Sequence, residues 1–466
     1  MPARPPACRV PRAGAAFLVT IAAVVATATA AQVPSQASLT FEEASLRLGR
    51  VSDALAAAEA NVRGKQELAA ASRRLRLPEI SLDAREIKFQ KTLEVSLGAF
   101  ASDLAQFGVP DPLILQQGGW RFRPTVQASV PLYTGGQIPA AQAAADAAVR
   151  QADAEWSGES DEQIAQLVQV YFGQQLASQA LRVRQDVREG LQRHLEDAEK
   201  LEREGLATKA ERLQANVERD QAERDLQKAV NDLDSVSDTL MRLLRHDSRI
   251  DASSPLFVVT RPIGQLEEFQ QSAREHHPAI SRLHAITDQA GQGVRFQQSK
   301  LKPQVFLFGQ RDLNRADALL TDPDWVFGAG IKYTLFSSSD RPRQISAARS
   351  QLRQAEAAVR EAENQVAIGV DRAWTQLGTA RQQFMLLDSS IARAEENLRL
   401  QEISFREGQA RSLDVIDARL QLARASIERA QAAYQYDVAL ADLLRVSARM
   451  SRFVDYLKQA DEVISP

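Results

Sequence analysis

From Ile345 to Leu398 the apolar positions fall at alternating steps of three and four, through Leu352, Ala355, Val359, Val366, Leu377, Phe384 and Ile391. That spacing is a coiled-coil seam continued over about eight heptads. No proline lies between Arg343 and Val463 to break it. Read as one helix from about Arg343 to Arg406, the segment spans roughly 95 Å at 1.5 Å per residue. Helices of globular domains run roughly 8–20 residues, so the pattern predicts an elongated body. A second rod is predicted from about Ala140 to Arg203, where Ala143, Ala144, Ala147 and Ala148 permit closely spaced helix axes. Each rod ends at a glycine, Gly205 or Gly408, and is followed by a further periodic segment, Leu213 to Leu243 or Leu413 to Tyr434. Short turns between long helices predict antiparallel hairpins. Shorter helices are expected from Phe41 to about Arg76 and from Leu266 to about Lys300, with the stretch from Asp251 to Pro262 read as a linking loop.

Between the helices the period changes to two. Trp325, Phe327, Ala329, Ile331, Tyr333 and Leu335 alternate with Gly328, Gly330, Lys332 and Thr334. Val126, Ala128, Val130 and Leu132 alternate with Thr125, Gln127 and Ser129, and Ile80, Leu82 and Ala84 with Ser81, Asp83 and Arg85. Strands near ten residues long, apolar on one face and ending in aromatics, suit an outer-membrane barrel. An ordinary half-buried sheet has the same period. Two strands per copy give four per chain, and the smallest bacterial barrels have about eight, so closure requires several chains.

The copies are related by a constant offset of 203 residues. Leu132-Tyr133-Thr134 returns as Leu335-Phe336-Ser337, Tyr171 as Trp374, and Arg203-Glu204-Gly205 as Arg406-Glu407-Gly408. A fixed offset over so long a stretch marks a duplicated supersecondary unit of measured length. Pro78 and Pro303 differ by 225 instead, so copy one carries 22 extra residues before Tyr133. A length change confined to one place predicts a longer loop tip.

Arg4, Arg9 and Arg12 precede an apolar run from Ala13 to Ala26 and then Ala28-Thr29-Ala30. Residues 1–30 therefore read as a secretory signal peptide, too short in its apolar core for a bilayer span of about 20 residues. The expected organisation is 1–30 signal, 31–250 first repeat and 251–466 second repeat with a C-terminal tail. The single cysteine, Cys8, falls in the signal, which leaves no disulfide or thiolate chemistry. The signal holds three of the 57 basic residues and none of the 60 acidic ones. The remainder is mildly acidic, which argues against nucleic acid as a partner.

The signal, the duplicated strand–strand–hairpin unit and the tip sequences Gly205-Leu206-Ala207-Thr208 and Gly408 through Ser412-Leu413-Asp414-Val415-Ile416-Asp417-Ala418 together resemble the TolC-like outer-membrane efflux protein family. The resemblance implies a mainly α fold with membrane β: a homotrimer with a 12-stranded β-barrel in the outer membrane of a Gram-negative cell and a 12-helix α-barrel in the periplasm. It implies a passive exit duct for efflux or type I secretion, coupled through a periplasmic adaptor to an inner-membrane pump. Many relatives carry an acylated N-terminal cysteine, which is missing here.

In a trimer Asp414 and Asp417, three apart on one helix face, would form two acidic rings that favour cations and raise one another's pKa. Asp414 equally suits the first helical turn, complementing the helix dipole. Thr208 and Glu211 have capping-box spacing. Gly205, Leu206, Ala207, Thr208, Gly408, Gln409, Ala410 and Arg411 form the two tips, where small and apolar residues at an exposed end suggest adaptor contact, or plain turn glycines. His276-His277-Pro278 has no cysteine or third histidine beside it and is read as a helix start, without metal. Tyr171 and Trp374 are read as packing residues. No nucleophile–base pair or phosphate loop occurs, so the expectation is a non-enzyme without cofactors. The alternative is a structural coiled-coil stalk of the cell envelope, which explains the heptads and leaves the alternating segments without a role.

Overall fold

The computed structural model describes residues 37–315 and 323–464, so the expected signal and Cys8 lie outside the described residues. Strand β1 (Ala37–Leu39) leads into α1 (Phe41–Val51) and α2 (Asp53–Arg73), then β2 (Glu79–Val95), the short α3 (Ala101–Ala105) and β3 (Leu113–Tyr133). The first hairpin is α4 (Gln137–Arg203) with α5 (Lys209–Leu243). Short strands β4 (Ile250–Ala252) and β5 (Leu256–Val258) connect to α6 (Leu266–His276), α7 (Pro278–Ser299), β6 (Gln304–Asp312) and β7 (Trp325–Lys332). The second hairpin is α8 (Arg341–Arg406) with α9 (Ser412–Val446), followed by α10 (Phe453–Lys458) and β8 (Glu462–Ile464).

The rods have 67 and 66 residues, about 100 Å each, and their return helices have 35 residues apiece. Along α8 the predicted seam is buried at Val359, Val370, Leu377, Phe384 and Leu398. The first half of α4 lies against α2 and α7, with Arg150 paired to Asp288 at 2.7 Å. Its second half lies against α5 and α9, with Arg188 paired to Glu223 at 2.9 Å. Since α8 likewise meets α7 and then α9, four helices stand side by side at every level of the rods.

The two shorter helices are not continuous: the second restarts at Pro278, the helix start its sequence suggested, whereas the break in the first is contrary to the sequence reading. The first breaks at Ser52 and the second at His277, 225 residues apart, each residue in extended backbone and capping the helix that follows it. At the first break Arg245 of the α5 C-terminus pairs with Asp53, and Arg47 donates to the Leu244 carbonyl at 2.8 Å. A polar cap offsets the interrupted helical ladder at each break, and periodicity alone does not report it.

Strands β2, β3, β6 and β7 form one antiparallel sheet in that order. Its register aligns Leu82, Val126 and Arg311 with Trp325, and Ile80, Ala128 and Gly309 with Phe327. The anticipated apolar residues therefore share one face, where Phe327 and Ile331 are each 75% exposed. On the other face the Phe306 and Phe308 rings lie over Gly330 and Gly328. The extra residues of copy one are not mainly a loop tip, because β2 and β3 have 17 and 21 residues against 9 and 8 in β6 and β7. In the added part of β2 the alternation changes face, with Glu86, Lys88 and Gln90 in line with Leu82 and Ile87, Phe89 and Leu93 on the opposite side. Successive strand residues point to opposite faces, so a polar row in line with Leu82 leaves the apolar row across from it.

The segment expected to be a loop, Asp251 to Pro262, is core. Leu256, Phe257, Val258 and Val259 are buried, β4 pairs with β1, and β5 pairs with β8. Phe41, Phe172, Phe257 and Phe453 stack around it. Tyr171 donates to the Leu39 carbonyl at 2.6 Å and accepts from the Ser253 and Ser254 N–H groups at 3.0 and 2.8 Å. Gln174 both donates to the Ile250 carbonyl (2.7 Å) and accepts from Ala252 N–H (2.9 Å). Trp374, at the repeat position of Tyr171, packs on Phe269 with centroids 5.4 Å apart.

Candidate functional site at the hairpin tips

Both rods end in the same turn. Gly205 (φ 75°) and Gly408 (φ 72°) occupy the left-handed region, where a residue with a Cβ is strained. Leu206 N–H returns to the Leu201 carbonyl and Gln409 N–H to the Ser404 carbonyl, each at 2.8 Å, while the glycine N–H groups bond to Glu202 and Phe405 at 3.0 Å. This is the Schellman closure of a helix C-terminus, made twice. The next helices start with repeat-equivalent caps that differ in chemistry. Thr208 and Glu211 form a full capping box. In the second tip Asp414 accepts from the Arg411 N–H at 3.0 Å and pairs with the Arg411 guanidinium at 3.2 Å.

Those bonds to Arg411, the side-chain bond foremost, hold the Asp414 carboxyl below its ordinary range. Within one chain its charge is therefore partly balanced. Asp417, one turn on, is exposed and has no ion-pair partner among the described residues. Of the predicted tip residues, Gly205, Leu206, Thr208, Gly408, Gln409 and Arg411 are exposed and Ala207 is half-buried. Ala410 packs beside a small core of Leu398, Phe405, Val415 and Ala418. Leu206 is the most projecting apolar group of the pair of tips, 74% exposed.

Behind the tips lies a polar joint between the hairpins that the sequence did not reveal. His194 of α4 is buried, with Nε2 2.6 Å from Ser412 Oγ and its ring 4.7 Å from Phe405. Arg419 of α9 pairs with Glu402 of α8 and reaches the surface of α4 at Gly190, where a Cβ would stand 1.9 Å from its Nη1. The glycine is thus a notch for a guanidinium. His194, Glu402 and Arg419, with Arg193, Asp197 and Arg406, line a cavity of about 320 Å³. Burial, reinforced by the Arg419 charge, lowers the His194 pKa below its ordinary value, and Asp197 and Glu402 oppose it. A lone buried histidine carries no periodic signal, but Gly190 inside a helix-forming run was a cue to close approach. No group of His, Cys, Asp and Glu suited to a metal occurs among the described residues, and none of their helices is long and apolar enough to cross a membrane.

Comparison with known proteins agrees with this architecture. Residues 270–449 match the family described as outer membrane efflux protein. The chain is 25% identical over 250 residues to the outer membrane efflux protein BepC of Brucella suis, a match covering 53% of this chain and 54% of that protein. It therefore spans about half the length of this curated relative. Among solved structures, the fold is similar to CusC (TM-score 0.72, 15% identity, 87% of this chain and 91% of that one). It is also similar to VceC of Vibrio cholerae (0.70, 17%, 87% and 95%) and to the CmeC outer membrane channel of Campylobacter jejuni (0.71, 13%, 90% and 88%). Residues 270–449 are thus similar to the outer membrane efflux protein family, and the described residues share the fold of these channel structures.

Proposed function

We propose that the chain is the outer-membrane exit duct of a tripartite efflux or type I secretion system, passing substrates from a periplasmic adaptor and inner-membrane pump to the exterior. The observation that carries this reading is a four-stranded sheet whose edges at β2 and β7 are unpaired among the described residues, with an exposed apolar face, joined directly to two hairpins of about 100 Å with equivalent tips. Four strands cannot close a barrel. Three copies supply 12 strands, and four helices at every level supply a 12-helix tunnel, so the functional unit is a homotrimer. The sheet sits in outer-membrane lipid with its apolar face outward, and the hairpins hang in the periplasm. Each chain contributes two repeats, 31–250 and 251–466, after a cleaved signal at 1–30. The duct is a channel and not an enzyme.

The tips, Gly205 to Thr208 and Gly408 to Arg411, are the adaptor-contact surface, and Asp414 and Asp417 form the acidic constriction. Because Arg411 balances part of the Asp414 charge, Asp417 carries the larger share of cation selectivity. Bilayer recordings in a salt gradient test this. The wild type should be cation-selective, Asp417→Asn should shift the reversal potential toward zero, and Asp414→Asn should shift it less. Unchanged potentials in both variants would remove the acidic constriction, and absence of any conductance would remove the duct.

A further inference from the structure

Positions 175 and 378 are equivalent in the two repeats and are occupied differently. In copy one Gln175 is buried, and its amide donates to the Ala252 carbonyl, filling the space between α4 and the segment that crosses it. In copy two a glycine stands there, and a Cβ built on Gly378 meets nothing within 4 Å. The space left is a cavity of about 90 Å³ lined by Pro262, Ile263, Trp374, Leu377, Arg381 and Tyr436. That volume holds a few water-sized groups.

Two polar side chains border this cavity with donor capacity left free. Tyr436 is wholly buried (0% exposed); the Val259 backbone lies against its oxygen, and its hydroxyl hydrogen has no acceptor among the described residues. A buried unpaired hydroxyl is costly to keep unless something occupies its free side. Arg381 is half-buried and makes no ion pair or hydrogen bond among the described residues, and its charge acts on the Tyr436 phenol. Burial keeps that phenol protonated, so it can donate. The neighbouring acids do not compete for the guanidinium. Asp437 is wholly buried, desolvation pushes its carboxyl well above the ordinary carboxylate range, and its Oδ2 accepts from the Phe257 N–H at 3.4 Å. The Asp461 carboxylate is engaged by the Thr260 N–H at 2.8 Å and the Thr260 hydroxyl at 2.9 Å.

We propose that this cavity is a binding site for a compact carboxylate carrying a short apolar stub, of about the size of propionate. The carboxylate oxygens accept from the Arg381 guanidinium and the Tyr436 hydroxyl, a charge-assisted arrangement, and the stub lies against Trp374 and Leu377 in the space that Gly378 opens. A neutral guest leaves Arg381 uncompensated, and a cation is repelled by it. The site is independent of the tips and of the duct's conduction.

The test is saturation-transfer NMR on the detergent-solubilised full chain, with propionate as probe at constant ionic strength. The expected result is transfer to the propionate methyl group, with affinity at least tenfold weaker in Arg381→Gln and in Gly378→Gln and several-fold weaker in Tyr436→Phe. Gly378→Gln restores the residue that copy one already carries, so folding should be retained. Arg381→Gln, at a half-buried site, provides the same discrimination if it is not. N-acetyl-alanyl-alanine distinguishes the source of the carboxylate. Competition with propionate marks a site open to carboxylate ends of larger molecules, and failure to compete marks one for free short acids. Either outcome supports the site. Absence of transfer in the wild type, or undiminished binding in a folded Gly378→Gln variant, would overturn it.

Discussion

The Gly190 notch allows a prediction in which the sign of one substitution depends on a second residue. Replacing a helix-interior glycine by alanine is favourable by about 0.8–1 kcal/mol when nothing else changes. Here the new Cβ would stand 1.9 Å from Arg419 Nη1 and 2.2 Å from its Cζ. The flexible tip of the arginine would yield before the backbone, and the bond to Glu402 would be lost with it. A hydrogen bond to a charged group contributes about 1.5–3 kcal/mol. With the two side chains 15% and 30% exposed, solvent screening brings this toward the lower end. Glu402 also keeps a second cation, Arg406, at 3.7 Å. Gly190→Ala should therefore destabilise the wild type by about 0.5–1.5 kcal/mol. In an Arg419→Ala background it should instead stabilise by up to about 1 kcal/mol. Denaturant unfolding of the solubilised protein, followed by tryptophan fluorescence for all four corners of the cycle, measures the coupling. Equal effects of Gly190→Ala in both backgrounds would show that the guanidinium does not occupy the notch.

Three further outcomes follow from buried polar groups. Tyr171→Phe removes one hydroxyl that serves Leu39, Ser253 and Ser254 and should cost about 2–4 kcal/mol in unfolding free energy; a cost under half a kcal/mol would refute its anchoring role. Asp437→Asn should leave stability unchanged or raised at pH 7. Desolvation lifts the folded-state pKa of this acid well above 3.8, so its contribution declines as pH rises through the raised value, and an unfolding midpoint that still tracks pH equally in the variant would contradict this. His194 and Asp161 should act oppositely in mild acid. His194, with its folded pKa below 6.5, loses its contribution as pH falls from 6.5 toward that lowered value, whereas Asp161, raised to about 6 by burial, adds stability as pH falls from 6 toward 3.8. Comparing His194→Asn and Asp161→Asn with the wild type at pH 5 and 7.5 separates the two.

What was legible in the sequence was whatever repeats or alternates. The 203-residue offset placed Gly205 and Gly408 in identical turns, because a helix end that needs a left-handed residue selects glycine. The seam through Val359, Leu377 and Phe384 located the second rod, and alternation at Trp325, Phe327 and Ile331 located the exposed apolar face of the sheet. Elements without a period were misread. The segment from Asp251 to Pro262 is too short to alternate, yet it is buried and paired at both ends. The long arms of β2 and β3 carry Ile87, Phe89 and Leu93 on the face opposite Leu82, so the alternation that located the shorter strands does not continue through them. The joint of His194, Ser412, Glu402 and Arg419 joins residues more than 200 positions apart, and only packing brings them together.

As proposed, three copies of this chain close into one hollow duct, and electron microscopy of the detergent-solubilised protein shows whether they do. A three-fold particle is expected, with a hollow tube on the order of 100 Å long, set by the rods, projecting from a detergent-covered barrel. A thin solid rod or a small monomer would contradict it and favour an envelope stalk.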